Sequence, residues 1–261
     1  MSYAGKIALI TGASSGIGAA FADALAARGA HLVLVARSAD KLHAMAAKLR
    51  SRHQVNVDIM HMDLSREEAA VEIHRELRQR NLRVSLLVNN AGFSTNGAFE
   101  TIAASLDHQQ IMLNVAAVVN LTHEFIPEML AQGEGIVINV GSTTSFYPLP
   151  QQAVYAASKA FVLSFSEALW VEYRQRGIRV LALCPGATDT AFFNTMGRDV
   201  TLKKHTPEKV VQVALAALDQ NRHYVIPGLR NTLESALLPR LLPRSLVARL
   251  VGTLSQRAYK G

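Results

Sequence analysis

Short apolar runs and stretches with helical spacing alternate along this chain from its first residues. Lys6–Thr11 is an apolar run that ends at glycines, and Ile17–Arg28 repeats its apolar positions with the period of one helix face. His31–Ala36 is apolar and partly β-branched, and a polar helix pattern follows over Ala39–Arg52. Val55–Met62 alternates. Ser65–Arg80 is again helical in spacing, and its start, Ser65-Arg66-Glu67-Glu68, has the form of a capping box. Val84–Asn89, Gly135–Gly141, Ile178–Cys184 and Tyr224–Ile226 read as further strands. The helical stretches between them cover Ala103–Ala131, closed by Gly133 and Gly135, then Val154–Gln175 and Pro207–Gln220. Strands that are apolar throughout, alternating with helices, predict an α/β fold with a parallel sheet of about seven strands covered on both faces. There is no internal repeat. Pro227-Gly228 is the nearest thing to a boundary, dividing a body, 1–228, from a leucine-rich extension, 229–261.

Composition narrows this picture. The 261 residues are 49% hydrophobic and 18% charged, enough to bury a sizeable core and unlike a disordered chain. Cys184 is the single cysteine, which excludes an intrachain disulfide and a cysteine-based zinc site and points to the reducing cytosol. The histidines are scattered without paired-ligand spacing, so no metal is expected. The apolar run Ile7–Ile10 is too short for a signal peptide, and no window has the length of a spanning helix. A cytoplasmic protein, soluble or at most peripheral to a membrane, is the expectation.

The net charge of +7 is concentrated at one end. Residues 222–261 hold seven Lys/Arg and one acid, Glu234, whereas the preceding 221 residues hold 20 Lys/Arg and 19 Asp/Glu. The basic tail is rich in leucine and nearly free of aromatics, which fits a membrane surface or a buried interface better than nucleic acid. Pro239 and Pro243 predict two short helices around a kink, with Leu233, Leu237, Leu238, Leu241, Leu242, Leu246, Leu250 and Leu254 along one stripe and Arg240, Arg244 and Arg249 between them. Two readings stand: a weak lipid anchor, or leucines packed over the substrate region or a neighbouring subunit.

Chemistry enters at the first strand-helix junction. TGASSGIG places Gly12, Gly16 and Gly18 where glycines let the backbone approach a pyrophosphate at a helix N-terminus. The spacing is G-x-x-x-G-x-G rather than the usual G-x-G-x-x-G. After the second strand, where an acid would hold the ribose of NAD, the chain has Ala36-Arg37-Ser38; an arginine grips a 2′-phosphate and favours NADP. Asp63, ending the third strand, is placed for adenine contact or as a helix cap. Asn89-Asn90-Ala91-Gly92 would floor the adenine-ribose site and tie strands together.

Tyr155 and Lys159 stand four apart on one helix face, and an ammonium beside a phenol favours the phenolate. Ser142 follows the fifth strand, where its hydroxyl would orient a carbonyl. Asn114 lies inside a long apolar helix, either as a core hydrogen-bonder or holding a water behind Lys159.

Together these residues make residues 5–227 resemble the short-chain dehydrogenases/reductases. TGASSGIG, NNAG at 89–92, the Asn114–Ser142–Tyr155–Lys159 tetrad and Pro185-Gly186 with Thr188 and Thr190 fall in the family's order. The resemblance implies a Rossmann-type, doubly wound single domain. It implies that NADP(H) is held by Gly12, Ser14, Ser15, Gly16, Ile17 and Gly18, by Arg37 and Asp63, and by Asn90, Ala91 and Gly92. Tyr155, Lys159, Pro185, Gly186, Thr188 and Thr190 would complete the cofactor site. It assigns Tyr155 as general acid in reduction, Lys159 as the group that lowers its pKa and holds the nicotinamide ribose, Ser142 as carbonyl positioner, and Asn114 as keeper of a proton-relay water. LITGASSGIG with LVLVARS and the basic leucine- and proline-containing tail resembles a bacterial branch of the family that is similar to hydroxysteroid and long-chain ketoacyl reductases, which handle hydrophobic carbonyls, so a hydrophobic small-molecule carbonyl or alcohol is the expected substrate. The helix Val154–Trp170, apolar around much of its girth, would meet a second copy in a homodimer or homotetramer. An NAD-dependent hydroxysteroid-type dehydrogenase and a non-catalytic nucleotide sensor are the alternatives; Arg37 weighs against the first and the full tetrad against the second. Ala187–Thr206, with Phe192, Phe193, Met196, Lys203, Lys204 and His205, and Ser145–Gln152, with Phe146, Tyr147, Pro148, Leu149 and Pro150, are the expected walls of the substrate pocket.

Overall fold

The computed structural model describes residues 2–192 and 204–258. Its strands are β1 (Ile7–Thr11), β2 (His31–Ala36), β3 (Val57–His61), β4 (Leu86–Asn89), β5 (Gly135–Val140), β6 (Ile178–Leu183) and β7 (Tyr224–Val225). They form one seven-stranded sheet in the order β3-β2-β1-β4-β5-β6-β7. Every pairing is parallel; Ile10, for example, lies opposite Leu34 on one side and Val88 on the other. Because side chains alternate across a strand, the sheet builds two cores. Ala8, Ile10, Leu32, Leu34 and Val88 face α1 (Gly16–Ala26), α2 (Ala39–His53) and α7 (Pro207–Asp219), whose Phe21, Leu42 and Leu215 complete that side. Leu9, Val33, Val35, Leu87 and Val137 point the other way, onto Ile73, Phe125 and Leu169 of α3 (Ala69–Gln79), α5 (Ala117–Gln132) and α6 (Ala153–Tyr173). Strands buried on both faces account for their unbroken apolar sequences.

Three local expectations are corrected. α3 begins at Ala69, not Ser65. Ser65 instead folds back on Asp63, whose carboxylate accepts from its N–H at 3.0 Å and its hydroxyl at 2.7 Å. A short acidic side chain two residues upstream competes for the donors that a capping box needs. The expected helix Ala103–Ala131 divides into α4 (Ala104–Ile111), a wide π turn over Met112–Ala116 and α5, which ends on left-handed Gly133. In the tail, α8 (Leu229–Thr232) runs through a second π turn, Leu233–Leu237, into α9 (Leu238–Leu241). Pro239 therefore does not break the helix. The widened turn ahead of it relieves the lost donor and the ring clash a proline brings. The break falls at Leu242, extended at φ −116° and ψ 150°, before α10 (Arg244–Ala258).

Candidate active site

One cleft of about 1140 Å³ runs over the carboxyl ends of β1 to β6. It lies where strand order reverses between β1 and β4, the place an open parallel sheet offers a ligand.

At the β1–α1 turn, Gly16 has φ +56°, and a methyl group there would come within 2.9 Å of Thr190. The first turn of α1 has no acidic residue, and the Ser15 side chain makes no capping bond, so the positive end of the helix opens toward the cleft. Gly12, Ser14, Ser15, Gly16 and Ile17 line it. Gly18 does not. A Cβ at Gly18 would lie 2.4 Å from the Gly12 carbonyl oxygen and 2.6 Å from the Asn90 amide. Its role is to let α1 seat directly on the turn.

Asn90 ties β4 to β1: its amide donates to the carbonyls of Thr11 at 2.8 Å and Gly12 at 3.3 Å. The Thr11 hydroxyl accepts the N–H groups of Asn90 and Ala91 at 2.9 and 3.0 Å. Beneath them Asn89 donates to the Asn139 side chain, and Asn139 to Ser166, a buried polar ladder crossing β4, β5 and α6. Asn90, Ala91 and Gly92 line the cleft, and Asn90 and Ala91 make the strand tie.

Arg37 and Asp63 face the cleft's other end, joined there by Lys41, which the sequence reading passed over. Asp63 is held below the usual carboxylate range, first by the Ser65 N–H and then, against its partial burial, by the Ser65 hydroxyl and the charges of Arg37 and Arg66.

Ser142, Tyr155 and Lys159 converge on the cleft floor, all at least nine-tenths buried. Lys159 Nζ donates to the Val140 carbonyl at 2.8 Å and sits 5.8 Å from the Tyr155 ring centre. Burial pulls the Lys159 pKa down to about 8. Asn114 is wholly buried behind the floor rather than in it. Its carbonyl accepts from the Phe93 N–H at 3.1 Å, while its amide donates to the Phe93 carbonyl at 2.9 Å and to Ser158 at 3.2 Å. Ser158 passes the tie on to the Tyr155 carbonyl at 2.7 Å.

A second bracket runs through Ser145. Its hydroxyl accepts from the Ser142 N–H at 3.2 Å and donates to the Lys159 carbonyl at 2.8 Å, clamping the turn after β5 to α6. Neither Ser145 nor Ser158 was singled out in sequence, since each acts by tying its own turn to a distant segment: Ser145 reaches Lys159, 14 residues on, and Ser158 reaches Asn114, 44 residues back. Cys184 lies against this bracket, fully buried, with its thiol pushed up to about 12 by that burial. Pro185, Gly186, Thr188 and Thr190 line the cleft beyond it, and Thr188 bridges to His205.

Of the expected substrate walls, Tyr147, Leu149, Gln152 and Phe192 line the cleft, and Phe192 stands 5.8 Å from Tyr155, ring to ring. Phe146 turns away onto Tyr224. Phe193, Met196 and Lys203 lie outside the described residues. The remaining wall comes from the tail: Pro239, Leu242, Val247, Leu250, Val251 and Leu254, with the Arg230–Glu234 ion pair beside them.

These residues fit a nicotinamide dinucleotide. The cleft, about 1140 Å³, has glycine spacing and an open helix N-terminus that suit its pyrophosphate, and cations and a buried Tyr-Lys pair both line it. Among the described residues no cluster of His, Cys, Asp or Glu has metal-site geometry, and no helix is long and apolar enough to cross a membrane.

Known proteins bear on the same cleft. A very-long-chain 3-oxoacyl-CoA reductase of Danio rerio is 31% identical over 97% of this chain and 82% of its own length. Human 17-beta-hydroxysteroid dehydrogenase type 3 is 32% identical over 81% of this chain and 67% of its own. A short-chain dehydrogenase from Sphingobium yanoikuyae, solved with NADPH, superposes with a TM-score of 0.82 at 36% identity, covering 96% of this chain and 95% of that one. A bulky-bulky ketone specific alcohol dehydrogenase from Comamonas testosteroni gives 0.77 at 33%, covering 91% and 99%. The short chain dehydrogenase family model matches residues 6–201, a stretch that carries the glycine turn, the strand tie and the whole Asn-Ser-Tyr-Lys set, and by that match this chain belongs to the short-chain dehydrogenase family of oxidoreductases.

Proposed function

We propose that the protein is an NADPH-dependent reductase of bulky, apolar ketones. The observation that carries this reading is a buried Ser142–Tyr155–Lys159 floor inside a cleft whose outer wall is mostly leucine and valine, with Pro239 and the Arg230–Glu234 pair, and with two cations, Arg37 and Lys41, at the far end. The named relatives act on hydrophobic carbonyls and hydroxysteroids, and solved neighbours hold NADPH, which supports the same class.

When bound, the cofactor supplies the hydride. Gly12 to Ile17 would hold its pyrophosphate at the start of α1, and Arg37 with Lys41 would meet the 2′-phosphate, a dianion that both cations favour. Pro185, Gly186, Thr188 and Thr190 would flank the nicotinamide. The Ser142 hydroxyl, held by the Thr144 N–H at 3.2 Å, donates to the substrate carbonyl oxygen and orients it toward Tyr155. The Tyr155 phenol gives its proton to that oxygen as the carbonyl carbon is reduced, leaving a secondary alcohol and a phenolate. The Lys159 ammonium stabilises the phenolate. Asn114 keeps the Phe93 turn and α6 in register behind them. Tyr147, Leu149 and Phe192, with the tail residues, exclude water and receive the apolar body of the substrate.

The test is a titration with NADPH and NADH, followed by a panel of ketones monitored through NADPH absorbance. NADPH should bind at least tenfold more tightly than NADH, and Arg37→Asp should narrow or reverse that preference. Tyr155→Phe should reduce turnover by about three orders of magnitude or more while leaving NADPH affinity within about threefold. An unaltered preference in the first variant, or substantial turnover in the second, overturns the respective assignment. We also assign a homo-oligomeric state, supported by the exposed Phe161 and Val171 on α6 and Leu106 and Ile111 at α4; sedimentation velocity showing a concentration-independent monomer would remove it.

A further inference from the structure

Fourteen large apolar side chains are exposed among the described residues, and eight of them are leucines between positions 229 and 254. A soluble surface scatters such side chains singly; a cluster of this density marks a binding face. The leucines form two rows. Leu229, Leu233, Leu237 and Leu241 repeat every fourth residue along α8, the π turn and α9, and are 44–77% exposed. Leu246, Leu250 and Leu254 repeat at the same interval along α10, 41–62% exposed. The buried face of α10 is a different one. Val247 is 5% exposed, and Gly252 packs so closely that a methyl group there would lie 3.1 Å from the ring of Pro150. The leucine rows therefore remain after the tail has satisfied its packing against the body.

Charge says what covers them. Arg240, Arg244 and Arg249 are exposed between and beside the rows and take part in no ion pair among the described residues, whereas Arg230 is neutralised by Glu234 at 2.7 Å. The tail carries seven Lys/Arg against one acid, in a chain whose other 221 residues are nearly balanced. A second copy of this chain would bring the same excess of positive charge against itself. An anionic bilayer complements both features, taking leucine into its acyl boundary and arginine at its headgroups.

The cleft opens on this face. Leu242, Leu250 and Leu254 each line the cleft and are exposed, so an apolar path leads from the surface to its interior. We propose that helices α8 to α10 are a peripheral docking surface for anionic membrane, and that a bilayer-dissolved ketone passes along Leu242, Leu250 and Leu254 into the cleft without crossing water. The docking half stands on the tail alone; the delivery half rests on the reductase reading.

The test uses the full-length protein and vesicles of phosphatidylcholine, with and without phosphatidylglycerol. The protein should co-sediment with the anionic vesicles, less at high salt, and poorly with the neutral ones. Leu237→Ser/Leu241→Ser/Leu246→Ser and Arg240→Glu/Arg244→Glu avoid the cleft wall, and each should weaken vesicle partitioning by about tenfold or more. Both should reduce a small water-soluble ketone at the wild-type rate, and the leucine variant should turn over a vesicle-borne long-chain ketone at least about tenfold more slowly. Wild-type protein that never sediments with anionic vesicles, or a leucine variant that sediments like wild type, overturns docking. So does a leucine variant whose only change is a smaller sedimentation coefficient without vesicles, since the rows would then lie between copies. Vesicle binding without turnover of any ketone leaves docking intact and removes the reductase reading and the delivery that depends on it.

Discussion

Lys159 is a charge held where charge is costly. Its ammonium is buried with one carbonyl partner, Val140, and its pKa falls from 10.5 to about 8. Below pH 8 both folded and unfolded chains carry the proton, and the folded state bears the whole desolvation cost, about 3 kcal/mol. Between pH 8 and about 10.5 the folded protein releases the proton while the unfolded chain keeps it, so the cost lessens as pH rises. Lys159→Met should therefore be more stable than wild type at pH 7 without cofactor, by about 1–3 kcal/mol after the lost hydrogen bond is counted, and the gap should close toward pH 10. Denaturant melts at several pH values check this; a gap that widens with pH would contradict it. The same variant should be inactive, a stability gained by giving up function. At this scale Tyr155, Lys159 and Asn114 stand out as letters, an i,i+4 pair and a polar side chain in an apolar helix, and the fold brings Ser142, Tyr155 and Lys159 together at the cleft with Asn114 behind them. Gly16 and Gly18 sit in one motif and look alike as letters; only the packing shows that Gly16 lines the cleft while Gly18 seats against Gly12 and Asn90.

Elements fix how those residues meet. The apolar strands and their helices were legible from periodicity, and the observed bounds fall within a few residues of those expected. Both π turns escaped notice, since a single extra residue in a helix leaves the apolar spacing almost unchanged on either side. One of them holds Asn114 at its centre, where it bonds Phe93 and Ser158. The Ser145 bracket was equally invisible, because its partners come from β5's following turn and from α6. Ser145→Ala takes the oxygen acceptor from the buried Ser142 N–H and a second donor from the Lys159 carbonyl, which costs about 1 kcal/mol. It should lower kcat several-fold with the KM for NADPH within about twofold, and Ser145→Thr, which keeps the hydroxyl, should recover most of the loss. Thermal melts and steady-state kinetics separate this from a general unfolding, which would depress both parameters together.

For the whole molecule, the strand ends and the turns after them supply one part of the cleft lining and the tail supplies much of the rest. Sequence alone left the tail divided between lipid anchor and structural cover. The fold shows one face of α10 turned to the cleft and another to the outside, two uses that a single leucine pattern cannot separate. Val247→Asp, placed on the cleft side, should raise the KM for apolar ketones at least about tenfold while sparing NADPH affinity. An equal loss for small polar carbonyls would mean that the tail acts on the floor and not on the wall.

The lone thiol has a use as a clock. Cys184 is fully enclosed beside the Ser145 bracket, and an alkylating reagent attacks only a thiolate it can reach. Modification by iodoacetamide must then await an opening that parts β6 from the turn after β5, so its rate counts those openings in the native protein. With a single cysteine in the chain, every adduct by mass spectrometry reports the same event. NADPH, by joining the segments on either side of that seam, should lengthen the half-time. The protein thus carries its own gauge of how often the catalytic floor comes apart.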